Sequence, residues 1–141
     1  MYLVDTNVVS ELRKVAAGRA DPGVARWAGQ VDAGTLFLSV ISLHELEVGI
    51  QRMERRDGRQ GALLRSWLDT RVVPAFAARI LPVDAAVARR SASLHVPNPQ
   101  PLRDGLIAAT ALVHGFIVVT RNVADFTASG VDVFNPWDDG G

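Results

Sequence analysis

Four carboxylates stand at the ends of predicted elements along this chain: Asp5, Glu45, Asp104 and Asp125. Asp5 closes Tyr2-Leu3-Val4, an apolar run with a β-branched Val that predicts a short buried strand. Asp125 follows a second strand-like run, 116–120. Glu45 and Asp104 are expected in the first turns of helices, one just after a strand and one just after a proline-rich loop. In a parallel α/β sheet, ligands bind outside the carboxyl ends of the strands. Three of the four positions fall on that edge by topology, and the helix carrying Asp104 is within reach of it. Carboxylates brought together repel, each close pair costing roughly 1–4 kcal/mol, so a fold that gathers them needs a cation. Oxygen donors in a chain with no cysteine point to Mg²⁺ or Mn²⁺ rather than to zinc held by Cys and His. Such an ion polarises a phosphoryl oxygen and acidifies its bound water. Metal-assisted hydrolysis of a phosphodiester is the chemistry this set suits.

Each acid also has a structural role open to it. Asp5 can cap a helix beginning at Thr6 or Asn7, and Glu45 completes a capping box with Ser42. Asp104 complements the dipole of its helix, and Asp125 can cap or turn within its loop. Spacing alone leaves those alternatives open. Other chemistries fail more sharply. His44-Glu45 begins like H-E-x-x-H, but the second His position is Val48. His44, His95 and His114 have no ligand spacing and are expected in structural or surface roles. No phosphate-binding glycine loop and no G-x-S-x-G elbow occurs. Glu47, two residues from Glu45, projects to another side of the helix and is expected to be solvated or to sit behind the site.

The elements that must position these residues alternate regularly. After the first strand and helix, Asp21-Pro22 starts a helix whose apolar face is Val24, Trp27, Ala28 and Val31. Residues 36–40 predict a strand, and a helix opening at Ser42 carries Leu46, Ile50 and Met53. A helix over 60–72 is interrupted at Pro74, an edge strand is expected within 79–83, and Asp84 caps a helix over 85–95. Three prolines in 97–101 bar regular structure. A small-residue helix over 102–112 follows, ended by Gly115, then strands at 116–120 and 131–134. This order predicts one α/β domain over 1–141, a parallel sheet with helices on both faces. The length suffices for a core, and 48% hydrophobic with 21% charged residues is ordinary for a soluble protein. No basic segment precedes an apolar core at the N-terminus, and no apolar run spans a membrane, so a cytoplasmic location is expected. Fifteen basic residues balance fifteen acidic ones, so nucleic-acid binding would require local charge segregation. Fourteen of the fifteen are Arg, whose fork suits phosphate.

Leu3-Val4-Asp5-Thr6-Asn7, Glu45 within Ser42-Leu43-His44-Glu45-Leu46, Asp104 within Asp104-Gly105-Leu106-Ile107-Ala108-Ala109-Thr110-Ala111, and Thr120-Arg121-Asn122 with Asp125-Phe126 resemble the motifs of PIN-domain ribonucleases. Within that family the chain is most similar to VapC-type toxins of toxin–antitoxin pairs. Its ending, Phe134-Asn135-Pro136-Trp137, resembles the FitB-like branch. The resemblance implies a three-layer α/β/α sandwich and a carboxylate pocket holding Mg²⁺ or Mn²⁺. It implies endonucleolytic cleavage of RNA, a homodimer, and inhibition by a small cognate antitoxin. By position, Asp5, Glu45 and Asp104 match the acidic core and metal ligands, and Asn7 the neighbouring polar site. Some relatives carry Asp where this chain has Asn122, so the fourth position falls to Asn122 or Asp125. Thr120 is expected to position a water or a carboxylate. Arg103 and Arg121 flank the expected pocket and are candidates to hold the scissile phosphate. Arg52, Arg55, Arg56 and Arg59, around a turn at Asp57-Gly58, are the candidate phosphate surface; a solvated hairpin or an antitoxin seat are the alternatives.

Two rival functions remain. An aspartyl-phosphate phosphatase would use Asp5 as nucleophile, but it wants a second Asp where Asn7 stands. A non-catalytic PIN-like module would bind RNA or a protein without cutting.

Overall fold

The computed structural model describes residues 1–138. Among them five short strands form one all-parallel sheet: β1 (Tyr2–Val4), β2 (Leu36–Ser39), β3 (Ile80–Leu81), β4 (Ile117–Val119) and β5 (Val133–Phe134). Their spatial order is β3-β2-β1-β4-β5, so the chain winds outward both ways from β1. The order reverses between β1 and β4, and in doubly wound sheets ligands bind beyond the strand ends at that reversal.

Among the described residues seven helices cover the sheet: α1 (Thr6–Leu12), α2 (Pro22–Gln30), α3 (Val40–Arg56), α4 (Gly58–Trp67), α5 (Val73–Ala75), α6 (Ala85–Leu94) and α7 (Leu102–His114). Alternation along the central strands divides the core. Val4 and Val119 face one layer with Val8, Trp27, Leu38, Leu46, Ile50 and Leu68. Leu3 and Val118 face the other, against Ile107, Ala108 and Ala111 of α7. The result is the expected three-layer sandwich. Each fully buried Val, Leu or Ile side chain among these contributes about 1.5–3 kcal/mol. The small residues of α7 also allow close approach to α6: a Cβ on Gly105 would lie 3.0 Å from His95 Nε2. Gly61 is tighter still, since a Cβ there would lie 2.5 Å from Glu54 Cα across the α3–α4 hairpin. Gly115 closes α7 in the left-handed conformation, at φ +70°.

Several element ends shift by one or two residues from those expected, and two larger differences have a visible cause. Strand β2 stops at Ser39, whose Oγ accepts from the Ile41 N–H at 3.0 Å and caps α3. Ser42 is buried inside the helix, its hydroxyl unpaired among the described residues. The capping box with Glu45 does not form, and Glu45 belongs to the second turn. β-branched Val40 reads as strand, but with Ser39 capping it starts the helix. The other difference precedes Pro74. The chain widens into a π turn over Leu68–Val72 and resumes as α5, with Pro74 inside it. Pro74 cannot donate back to the preceding turn, and the widened turn accommodates that loss. The edge strand β3 is found as expected.

Candidate active site

Asp5 is completely buried and ends β1. Its N–H donates to the Val119 carbonyl at 2.9 Å, extending the β1–β4 pairing by one residue. Its extended backbone then turns into α1, and its side chain caps that helix by accepting from the Thr6 N–H at 2.8 Å. Capping takes only part of the carboxylate. Oδ1 also accepts from Arg103 Nη2 at 2.5 Å, and Oδ2 accepts from the Thr120 hydroxyl at 2.8 Å.

Thr120 stands one residue beyond β4, on the neighbouring strand, and is likewise fully buried. Its hydroxyl oxygen accepts from the Asn122 N–H at 3.0 Å and from Asn7 Nδ2 at 3.4 Å. Asn7 Oδ1 in turn accepts from the Arg121 N–H at 3.3 Å. The loop after β4 is thus tied to the start of α1 through one buried hydroxyl.

Glu45 reaches the same place from α3, where Oε1 accepts from the Thr6 hydroxyl at 2.9 Å and from Arg103 Nε at 2.6 Å. Asp104 arrives on the first turn of α7, with Oδ1 accepting from Arg103 Nη1 at 2.6 Å. Three carboxylates from three elements therefore converge on one cation, the guanidinium of Arg103. Burial pulls the Arg103 pKa down, but contacts with Glu45, Asp5 and Asp104 outweigh it and hold the pKa above the ordinary value. The group is charged at every accessible pH.

Glu45, Arg103 and Asp104 open onto a cleft of about 490 Å³, lined also by Thr6, Asn7, Asn122 and Asp125. Asp125 lies in a 3-10 turn (Val123–Ser129), exposed, with no side-chain partner among the described residues. Asn122 lines the cleft beside it. Arg121 does not: its guanidinium lies 5.3 Å from the centre of the Trp137 ring, and only its backbone reaches Asn7. Arg52 lines an adjoining hollow with His44 and Glu45, while Arg55, Arg56 and Arg59 sit exposed where α3 meets α4. Glu47 points away, onto Arg65.

From the sequence Arg103 is expected at the edge of the pocket; the structure puts it among the three acids. Thr6, whose hydroxyl orients Glu45, is not expected there from the sequence. The available signal was its position directly after Asp5, at the first residue of α1, facing the same edge. The donor set fits a hard divalent ion, being carboxylate oxygens only. The arrangement is nonetheless shaped around the guanidinium, and among the described residues no three His, Cys, Asp or Glu side chains are drawn together as a metal cage.

The chain belongs to the PIN-domain family: the PIN domain is matched over residues 2–127. Within it, the chain is 38% identical over 143 residues to VapC ribonuclease Y4jK of Sinorhizobium fredii, covering 98% of this chain and 99% of that protein. It is also 38% identical over 146 residues to toxin FitB of Neisseria gonorrhoeae, covering 99% of this chain and all of that protein. The crystal structure of FitAcB from the same organism superposes with a TM-score of 0.87 at 34% identity, covering 97% of this chain and 99% of that one. The family and fold expected from the motifs are borne out.

Proposed function

We propose that this chain is a divalent-metal-dependent endoribonuclease and the toxin of a toxin–antitoxin pair. One observation carries the reading. Asp5, Glu45 and Asp104, from three separate elements, surround a single cation beyond the strand ends where the sheet order reverses. Asp5 and Asp104 would be the principal ligands of Mg²⁺ or Mn²⁺, with Glu45 binding directly or through water. The ion would polarise a phosphoryl oxygen and lower the pKa of its water. The remaining work falls to the chain. Thr120 holds one oxygen of Asp5, Thr6 holds Glu45, and Asn7 fixes the loop that carries Asn122. Among the described residues Asp125 is the carboxylate of the cleft lining without a side-chain partner, so we assign it the fourth position, with Asn122 supporting the loop.

Similarity over nearly the whole chain to a protein named a ribonuclease and another named a toxin supports the substrate and the role. Arg52, which shares a hollow with Glu45, is the first candidate for RNA phosphate, followed by Arg55, Arg56 and Arg59. An apolar groove of about 360 Å³, lined by Leu46, Ile50, Leu64 and Trp67, adjoins the acidic cleft at Thr6 and Glu45 and is our seat for an antitoxin segment. We further assign a homodimer and a cytoplasmic location. No helix among the described residues is long and apolar enough to cross a membrane.

The test incubates purified protein with total RNA and Mn²⁺, with and without EDTA, beside Asp5→Asn. Metal-dependent cuts are expected, reduced on the order of 10³-fold in Asp5→Asn with its circular dichroism unchanged. Cuts retained in that variant would sink the site assignment. If the wild-type chain makes none, the non-catalytic binding module takes its place.

A further inference from the structure

Arg103 meets each acid with a different nitrogen: Nη2 with Asp5, Nε with Glu45 and Nη1 with Asp104, at 2.5, 2.6 and 2.6 Å. With Thr120 on the other oxygen of Asp5, both oxygens of that buried carboxylate are engaged. A planar fork hands its partners separate nitrogens. A Mg²⁺ ion instead asks its oxygens to meet one point at about 2.0–2.1 Å. The three oxygens that meet the guanidinium, Asp5 Oδ1, Glu45 Oε1 and Asp104 Oδ1, cannot also converge on one ion while it lies among them, and among the described residues the acids are not gathered for a single ion.

Local helix physics does not favour the arrangement either. Arg103 is the second residue of α7, and a cation in the first turn opposes the helix dipole. The carboxylates hold it there. Its side chain remains about one-third exposed on the cleft wall, which leaves it a path outward.

We propose that Arg103 and the divalent ion compete for Asp5, Glu45 and Asp104, so that the ion binds only as the guanidinium withdraws. Arg103 thereby sets the metal affinity of the chain. The tether to Asp104 keeps the guanidinium at high effective concentration, a standing competitor that a free solute would match only at millimolar levels or above. This inference rests on the metal-centre reading proposed above.

The test titrates Mn²⁺ by calorimetry into EDTA-stripped wild type, Arg103→Ala and Arg103→Gln, with thermal melts alongside. Arg103→Ala is expected to bind Mn²⁺ at least about ten-fold more tightly than wild type. Without metal it should melt lower, because its acids lose their counterion, and Mn²⁺ should raise its melting temperature more than that of wild type. Methylguanidinium added to Arg103→Ala should weaken Mn²⁺ binding back toward the wild-type value. If Arg103→Ala does not fold, Arg103→Gln, which keeps much of the stem without the charge, is read in its place. Binding by the folded variant that equals or falls below wild type overturns the competition and leaves the metal centre standing. No Mn²⁺ binding by wild type or variant overturns the metal centre itself.

Discussion

Two arginines in this protein each face three carboxylates, and the contrast between them separates a clamp from a site. Arg65 meets Glu47 at 2.8 Å, Glu54 at 3.2 Å and Asp69 at 3.8 Å. Those acids lie within one helical hairpin, 18, 11 and 4 residues from it in sequence, and each is more than one-third exposed. Arg103 draws in Asp5 and Glu45 from 98 and 58 residues away, and Asp5 is wholly buried. Donating hydrogen bonds to Glu47 and Glu54 raises the pKa of Arg65, as the acids of the cleft raise that of Arg103. Charge count and protonation therefore do not distinguish the two clusters. Burial and origin do. An exposed cluster formed within a hairpin steadies that hairpin and contributes about 0–1 kcal/mol per pair. A cluster assembled from three elements at a strand edge repays its desolvation only partly through stability, and two of its acids, Glu45 and Asp104, line a cleft.

The largest expected effect tests the buried side of the comparison. Thr120→Val preserves shape but removes the donor to Asp5 Oδ2 and the acceptor for the Asn122 N–H. It is expected to cost about 1–3 kcal/mol in urea unfolding and to reduce Mn²⁺-dependent cleavage together with Mn²⁺ affinity. Full stability in that variant would mean the acidic cluster is no more demanding than the hairpin one. Arg65→Met comes next. It should lower stability by no more than about 1 kcal/mol for each pair lost and leave the cleavage rate as in wild type; a lost rate would erase the distinction between the two arginines.

The smallest effect is a slope. The hydrogen bond from Arg65 holds Glu47 below its ordinary pKa against the opposing effect of burial. The unfolded chain thus binds more protons than the folded one as pH falls through the ordinary value of 4.5. That stabilisation is present above this value and is lost as pH drops through the lower folded value. Thermal melts over acid pH should show a shallower pH dependence in Arg65→Met than in wild type. Equal slopes would mean that Arg65 holds Glu47 no differently from solvent.

Much of this molecule is readable without coordinates, for local reasons. Apolar triplets that end in a carboxylate and a capping pattern can be read within a few residues, and Asp5 proved to be both cap and site member. The Gly115 stop, the prolines of 97–101 and the small face of α7 are local signals of the same kind. Local reading erred where two local solutions compete. Ser39 and Ser42 are both good caps, and only the end of β2 pairing selects Ser39.

What the sequence by itself determined was the inventory: strands ending in acids, their order, and motifs sufficient to indicate the PIN-domain family. Tertiary structure alone decided which side chains share a cation. Arg103 and Arg121 read alike as basic residues beside the pocket, yet one lies among three acids and the other stacks on Trp137. The physical reason is distance along the chain. Contacts that span 98 and 58 residues leave no trace in periodicity or capping, and they exist only once the parallel sheet brings its strand ends to one edge.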